Sequence, residues 1–288
     1  MMRRLHGAIA ASVTPLRDGG RTVDLDAIAG LTRFLAAGGV DGVLACGTTG
    51  EGVLLDVAER RAITEAFVAS APQGFAVAVH AGAQTSHETI ALAAHAQASG
   101  AQAVAVIAPP YFPLDDEELT RHLVGAANAA DPLPFYVYEF MGRSGYAIAP
   151  AVVTRVRHEA PNVVGMKVSD APFAAVEPYL GLGLDAFIGS EPLVLDGLAA
   201  GAVGCVSGLA AAFPQITAAL VHERSAEAHE QVKRLREGLA GIPFHAALKQ
   251  VLVARDVLVS PDVRAPLRGL TDPERERVLG LARDLGCL

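Results

Sequence analysis

Short apolar runs rich in Ala, Val and Ile recur along the chain. Between them lie longer Ala- and Leu-rich segments whose polar positions keep a helical period. The runs Ala8 to Val13, Gly42 to Cys46, Phe75 to His80, Ala103 to Ala108, Phe135 to Glu139, Val163 to Val168, Ala186 to Gly189 and Val203 to Ser207 predict eight strands. Nearly continuous apolar character predicts burial on both faces, as in a parallel sheet. Leu25 to Ala36, Val57 to Ser70, Thr85 to Ala98 and Glu117 to Ala129 predict outer helices. Eight such units predict an α/β chain with a parallel (β/α)8 TIM barrel rather than an open doubly wound sheet. After the eighth strand the alternation stops, and Glu227 to Leu239, His245 to Asp256 and Pro273 to Leu285 read as helices alone. The expected organisation is a catalytic barrel over residues 1–224 and a small C-terminal helical region over residues 225–288.

Composition narrows the function. The chain of 288 residues is 51% hydrophobic, enough for a sizeable core. A net charge of −8, with no basic run longer than Arg3-Arg4, argues against nucleic acid as a partner. The uncharged stretch Gly197 to Phe213 falls short of the ~20 residues of a membrane span and is broken by Gly201, Gly204 and Gly208. It reads as helix end, strand and turn, so no membrane partner is expected. Cys46, Cys205 and Cys287 form no C-x-x-C pair, which suits a reducing cytoplasm. The apolar run after Met1-Met2-Arg3-Arg4 is too short for a secretory signal and reads as the first strand.

Only three lysines, Lys167, Lys233 and Lys249, stand against twenty arginines. Barrel enzymes carry reacting groups at the C-terminal ends of strands, and Lys167 ends the sixth apolar run. Burial there favours the neutral amine that attack on a ketone requires; the alternative is a structural lysine paired with a carboxylate such as Glu139. Lys233 and Lys249 fall on polar-faced helices and are expected to be solvated. Gly47-Thr48-Thr49-Gly50 supplies amides and hydroxyls that can hold a carboxylate or relay a proton, or else caps the next helix. Tyr138 and Tyr111 end apolar runs, where a phenol can move a proton or simply pack. Arg143, in a glycine-flanked loop, can hold a carboxylate through paired hydrogen bonds or remain a solvated charge. The histidines show no H-E-x-x-H and no Cys/His cluster, so no metal site is expected. Cys46 reads as a small buried residue.

Gly47-Thr48-Thr49-Gly50-Glu51, Tyr138 with Gly142-Arg143-Ser144-Gly145, and Gly165-Met166-Lys167, in this order on the eightfold alternation, resemble the dihydrodipicolinate synthase and N-acetylneuraminate lyase family of Schiff-base aldolases. Ala11-Ser12-Val13-Thr14-Pro15 and Gly189-Ser190-Glu191 extend the resemblance over nearly the whole chain. It implies an imine between Lys167 and pyruvate or a related 2-oxo acid, Tyr138 as proton shuttle, and a carboxylate held by Thr48, Thr49 and Gly47, with Val206 of the eighth strand also against the substrate. It further implies that Tyr111 completes a proton relay with Thr48 and Tyr138 across a subunit interface, in a homodimer or homotetramer. Arg143 resembles the arginine with which the synthases hold a second substrate's carboxylate. No metal or organic cofactor is implied. A dihydrodipicolinate synthase-like condensation with an aldehyde is the leading expectation, followed by a 2-oxo-3-deoxy sugar-acid aldolase or dehydratase. A catalytically silent 2-oxo-acid-binding relative is the alternative from another class.

Overall fold

Eight parallel strands close on themselves: β1 (Gly7–Ala11), β2 (Gly42–Ala45), β3 (Ala76–His80), β4 (Ala103–Ile107), β5 (Phe135–Glu139), β6 (Val163–Val168), β7 (Asp185–Ile188) and β8 (Gly204–Ser207). Each pairs with its chain neighbour, and β8 pairs with β1 to complete the barrel, Gly7 opposite Gly204. This computed structural model describes residues 4–288; Met1 to Arg3, including the first arginine of the Arg3-Arg4 pair, lie outside the described residues. Helices α1 (Asp26–Ala37), α2 (Val57–Ser70), α3 (Ser86–Ala98), α4 (Asp116–Ala130), α5 (Pro150–Glu159), α6 (Val194–Ala199) and α7 (Pro214–His222) follow strands one to five, seven and eight. After β6 the helical segments shrink to two short turns, Phe173–Ala175 and Glu177–Leu180. The chain thus has the expected (β/α)8 architecture, with strand ends displaced by at most a few residues. A small antiparallel pair, Leu16–Arg17 with Thr22–Val23, was not anticipated.

Two apolar layers hold the barrel. Inside, small side chains at Ala11, Ala78, Ala103 and Ala105 leave room for Tyr136 and Phe187, whose rings meet edge to face at 5.7 Å. Gly165 is required by this packing, since a Cβ there would lie 2.4 Å from the Tyr136 ring and 2.5 Å from the Asp185 carbonyl. The Tyr136 hydroxyl is not stranded, because it accepts the Leu5 N–H at 2.9 Å. Outside, the opposite face of each strand packs on the helices in one continuous cluster. That cluster includes Val232 and Leu235 of α8 (Ala226–Gly238) and Leu248, Val251 and Leu252 of α9 (Phe244–Ala254). Helix α10 (Asp272–Asp284) packs against α9.

One expectation fails here. Lys233 is half exposed and pairs with Glu230, but Lys249 is fully buried and forms an ion pair with Glu51 at 2.5 Å. Its ammonium also donates to the Asp262 carbonyl at 2.6 Å. Helix α9 is apolar on most sides, and the inward position that Lys249 occupies is tolerable only because Glu51 meets it there. Among the described residues, no helix is long and apolar enough to cross a membrane.

Candidate active site

β5 and β6 pair so that Tyr138 lies opposite Lys167. Neighbouring residues in register point to the same face of a sheet, and both side chains project into the barrel mouth. The Lys167 Nζ sits 4.1 Å from the centroid of the Tyr138 ring. Lys167 is 7% exposed and Tyr138 1%. The Tyr138 hydroxyl lies 3.3 Å from Thr48 Oγ1. Strand alternation turns Glu139 the other way, where its carboxylate accepts the Ile148 N–H at 2.8 Å. The pairing of Lys167 with Glu139 weighed from sequence is therefore absent, and among the described residues no carboxylate pairs with Lys167. Burial pushes the Glu139 carboxyl up to about 8; the Ile148 amide opposes this and Asp170 adds to it.

The turn after β2 is built under constraint. Cys46 and Glu51 have left-handed φ values of 56° and 58°. Gly52 must be glycine, because a Cβ would lie 1.9 Å from the Cys46 carbonyl. The Gly52 N–H closes the turn on the Gly47 carbonyl at 3.1 Å, and the Glu51 N–H bonds the Thr48 carbonyl at 3.1 Å. Both threonine hydroxyls are spared from capping, since Asp56 caps α2 through a reciprocal bond with Glu59. Beneath the turn, His80 Nδ1 faces the Cys46 carbonyl at 3.2 Å, and its ring meets Tyr138 edge to face at 5.9 Å. Burial, reinforced by the charge of Arg60, depresses His80 to about 3 and keeps it neutral. Burial pushes the Cys46 thiol up to about 11, in line with a small packing residue rather than a nucleophile.

A cavity of about 430 Å³ opens over these groups, lined by Thr48, Thr49, Tyr138, Arg143, Lys167 and Val206 among others. The structure thus gathers six of the residues singled out from sequence. Gly47 does not line it and serves the turn instead. Tyr111 also stays away from it within one chain: it is 84% exposed, has a φ of 86°, and meets Phe112 edge to face at 4.8 Å. Arg143 sits on a helical turn, Met141–Ser144, rather than in an open loop. Asp170 anchors that turn by accepting the Met141 N–H at 3.0 Å and the Gly142 N–H at 3.4 Å. The Arg143 guanidinium lies 5.6 Å from the Phe140 ring centroid.

The cavity residues from the C-terminal helices were not anticipated, among them Arg236 from α8 and Phe244 and His245 from α9. Their signal was the Gly241-Ile242-Pro243 break, which brings a helix start with an aromatic and a histidine to the barrel mouth. A carbonyl can only accept, so the His245 Nε2–H donates to the Thr48 carbonyl at 3.0 Å. Arg236 binds Glu191, which the strand-end motif Gly189-Ser190-Glu191 carries.

The arrangement combines a buried amine with no carboxylate partner among the described residues, a phenol and a hydroxyl 3.3 Å apart, and threonine hydroxyls on the cavity wall. The sequence profile of the dihydrodipicolinate synthetase family matches residues 4–284. An uncharacterized DapA-like lyase of Halobacterium salinarum is 32% identical, over 99% of this chain and 95% of its own. A 4-hydroxy-tetrahydrodipicolinate synthase of Chlorobium phaeobacteroides is 30% identical, over 99% and 98%. Among solved structures, N-acetylneuraminate lyase of Proteus mirabilis superposes with a TM-score of 0.88 at 28% identity, covering 99% of this chain and 100% of its own. A dihydrodipicolinic acid synthase family prophage protein of E. coli K12, solved in complex with pyruvate, superposes with a TM-score of 0.93 at 24% identity over 99% and 100%. With the profile matched almost end to end, the chain belongs to the dihydrodipicolinate synthetase family.

Proposed function

We propose that this protein is a Schiff-base lyase or synthase acting on pyruvate or a related 2-oxo acid, in a dihydrodipicolinate synthase-like condensation with an aldehyde. The observation that carries this reading is Lys167: an amine buried at a strand end, free of any carboxylate partner among the described residues, and in register with Tyr138. The neutral amine attacks the ketone carbon of the 2-oxo acid, and loss of water leaves a protonated imine. That nitrogen draws electrons from the adjacent carbon, so a proton can leave the methyl group and an enamine forms. The enamine carbon then bonds to the aldehyde carbon, and water releases the product and restores Lys167. Tyr138, 3.3 Å from Thr48, carries protons in and out of these steps. Thr49 holds the 2-oxo acid's carboxylate, Val206 packs against the bound acid, and Arg143 holds a carboxylate on the aldehyde. The pyruvate complex of the E. coli relative supports the choice of 2-oxo acid.

Sugar-acid cleavage or dehydration is a second reading, favoured by the hydroxyl-bearing wall of Thr49, Ser169 and Ser190. It uses the same imine. Borohydride added with pyruvate should leave a stable mass on Lys167, and the Lys167→Ala variant should leave none. Labelling that survives in this variant, or a wild-type protein that takes up no label, rejects the mechanism.

We assign the chemistry to the barrel portion, residues 1–224, with residues 225–288 closing the cavity mouth. A homodimer or homotetramer is part of the proposal. Tyr111 and Phe112 form an exposed aromatic pair on a Pro-rich loop, an unfavourable surface to leave in water. A two-fold contact would cover it and deliver Tyr111 of one copy to the relay of another. Sedimentation at assay concentration tests this; a fully active monomer returns Tyr111 to a role in its own barrel.

A further inference from the structure

Two guanidinium groups border the cavity, and they are held in different ways. Arg143 rests over Phe140 with no carboxylate partner among the described residues, so its full charge is available to a substrate anion. Arg236 is already neutralised. Its Nε donates to Glu191 Oε2 at 2.8 Å, its Nη2 donates to the same oxygen, and its Cζ lies over the Phe244 ring, 4.8 Å from the centroid. The other oxygen of Glu191 accepts from Ser207 Oγ at 2.7 Å and from the Leu209 N–H at 3.1 Å. Burial alone would raise the Glu191 carboxyl, but Arg236, the Leu209 amide and Ser207 outweigh it and hold the group below its ordinary range. Glu191 is therefore ionised, 1% exposed and saturated with donors.

Two consequences follow for a ligand. Among the described residues Glu191 is the only acid lining the cavity, and both its oxygens are already taken by donors, leaving none to receive an ammonium group. The Nη1 edge of Arg236 has no partner among the described residues, and the side chain keeps 35% of its surface. A fixed donor inside a neutral pair suits a hydroxyl oxygen better than a second anion, because its charge has been spent on Glu191.

We propose that Arg236 is a specificity-determining residue: its Nη1 edge, fixed by Glu191 and Phe244, donates to a neutral oxygen of the second substrate, so the site selects an aldehyde bearing a hydroxyl beside its carboxylate over one bearing an ammonium. This rests on the Schiff-base reading of the site. The test pairs pyruvate with three 4-oxobutanoates that differ only at C2, which carries hydrogen, hydroxyl or ammonium. Product formation gives kcat/KM for each. The hydroxyl compound should lead the ammonium compound by about tenfold or more, the scale of one hydrogen bond to a charged donor. Arg236→Lys keeps a charge against Glu191 but loses the planar edge. It should bring the hydroxyl and hydrogen compounds to near parity while borohydride still traps pyruvate on Lys167. Arg236→Leu, checked for folding by thermal unfolding, should do the same. Preference for the ammonium compound in the wild type, or an undiminished hydroxyl preference in Arg236→Lys, overturns the assignment. A wild type that forms no pyruvate adduct rejects the underlying mechanism and this inference with it.

Discussion

Lys167 and Lys249 are both withdrawn from water, one at the end of a barrel strand and the other inside a C-terminal helix. Lys249 meets Glu51 at 2.5 Å and the Asp262 carbonyl at 2.6 Å. Lys167 has no ion pair among the described residues and faces the Tyr138 ring, 4.1 Å from its centroid. The first is fully compensated, as a buried charge must be if it serves the fold. The second lacks a carboxylate and opens on a cavity, which is costly unless the amine is put to use. The two also meet through one turn. Glu51 ends the Gly-Thr-Thr-Gly-Glu motif, and its other oxygen accepts the Arg264 N–H at 2.7 Å. The helical region thus clamps the same turn that presents Thr48 to Tyr138.

Replacing each lysine by methionine is the sharpest way to break this comparison. Lys167→Met should abolish turnover and the borohydride-trapped adduct without lowering the unfolding free energy, because no ion pair is lost. Lys249→Met should cost about 3–5 kcal/mol in denaturant unfolding, the usual penalty for stranding one member of a buried pair. Adding Glu51→Gln should recover part of that loss. If Lys249→Met proves harmless, the pair is not what holds the turn; if Lys167→Met destabilises strongly, Lys167 is structural.

Tyr138 sharpens the same contrast from the other side. Tyr138→Phe removes one hydroxyl and almost no volume, so folding should persist while turnover falls about 10²- to 10⁴-fold. A near-normal rate in a folded variant would reduce Tyr138 to packing. A smaller effect is expected at Arg143, which is exposed at the cavity edge and is proposed to act through binding alone. Arg143→Ala should raise KM for the aldehyde about tenfold to a hundredfold, with little change for pyruvate. Equal changes for both substrates would place Arg143 outside the second-substrate pocket.

The barrel and the strand-end residues that line its cavity were legible because each strand is buried on both faces, so a polar residue such as Lys167 or Tyr138 at the end of an apolar run stands out. Lys249 was misread although the same signal was present: it interrupts an apolar helical segment, Phe244 to Ala254. Its partner Glu51 comes from the other end of the chain, so only closure of the fold brings them together. Arg236 was hidden for a related reason. Helix α8 reads as polar on its outer face, and the helical period cannot tell water from a cavity mouth lined by Glu191. The role of Gly165 likewise requires knowing that the Tyr136 ring lies beside it. Arg143 was legible in kind but not in setting, because the helical turn that carries it is made by Asp170 from the neighbouring strand end.

Glu139 gives the last and smallest test, because it explains why Lys167 has no partner. It faces away from the amine and sits in a buried setting that raises its carboxyl from the ordinary 4.5 to about 8. A carboxyl raised on folding holds a proton that the unfolded chain has released, so between these values the native state binds more protons. Stability therefore falls as pH rises from about 4.5 to about 8, the reverse of a salt-bridged carboxylate. Glu139→Gln keeps the shape and an oxygen for the Ile148 N–H but cannot ionise. Urea unfolding at pH 5 and pH 8 should show a smaller difference in the variant than in the wild type. An identical slope in both would mean that Glu139 is ionised in the folded protein, and the absence of a Lys167–Glu139 pair would then rest on strand alternation alone.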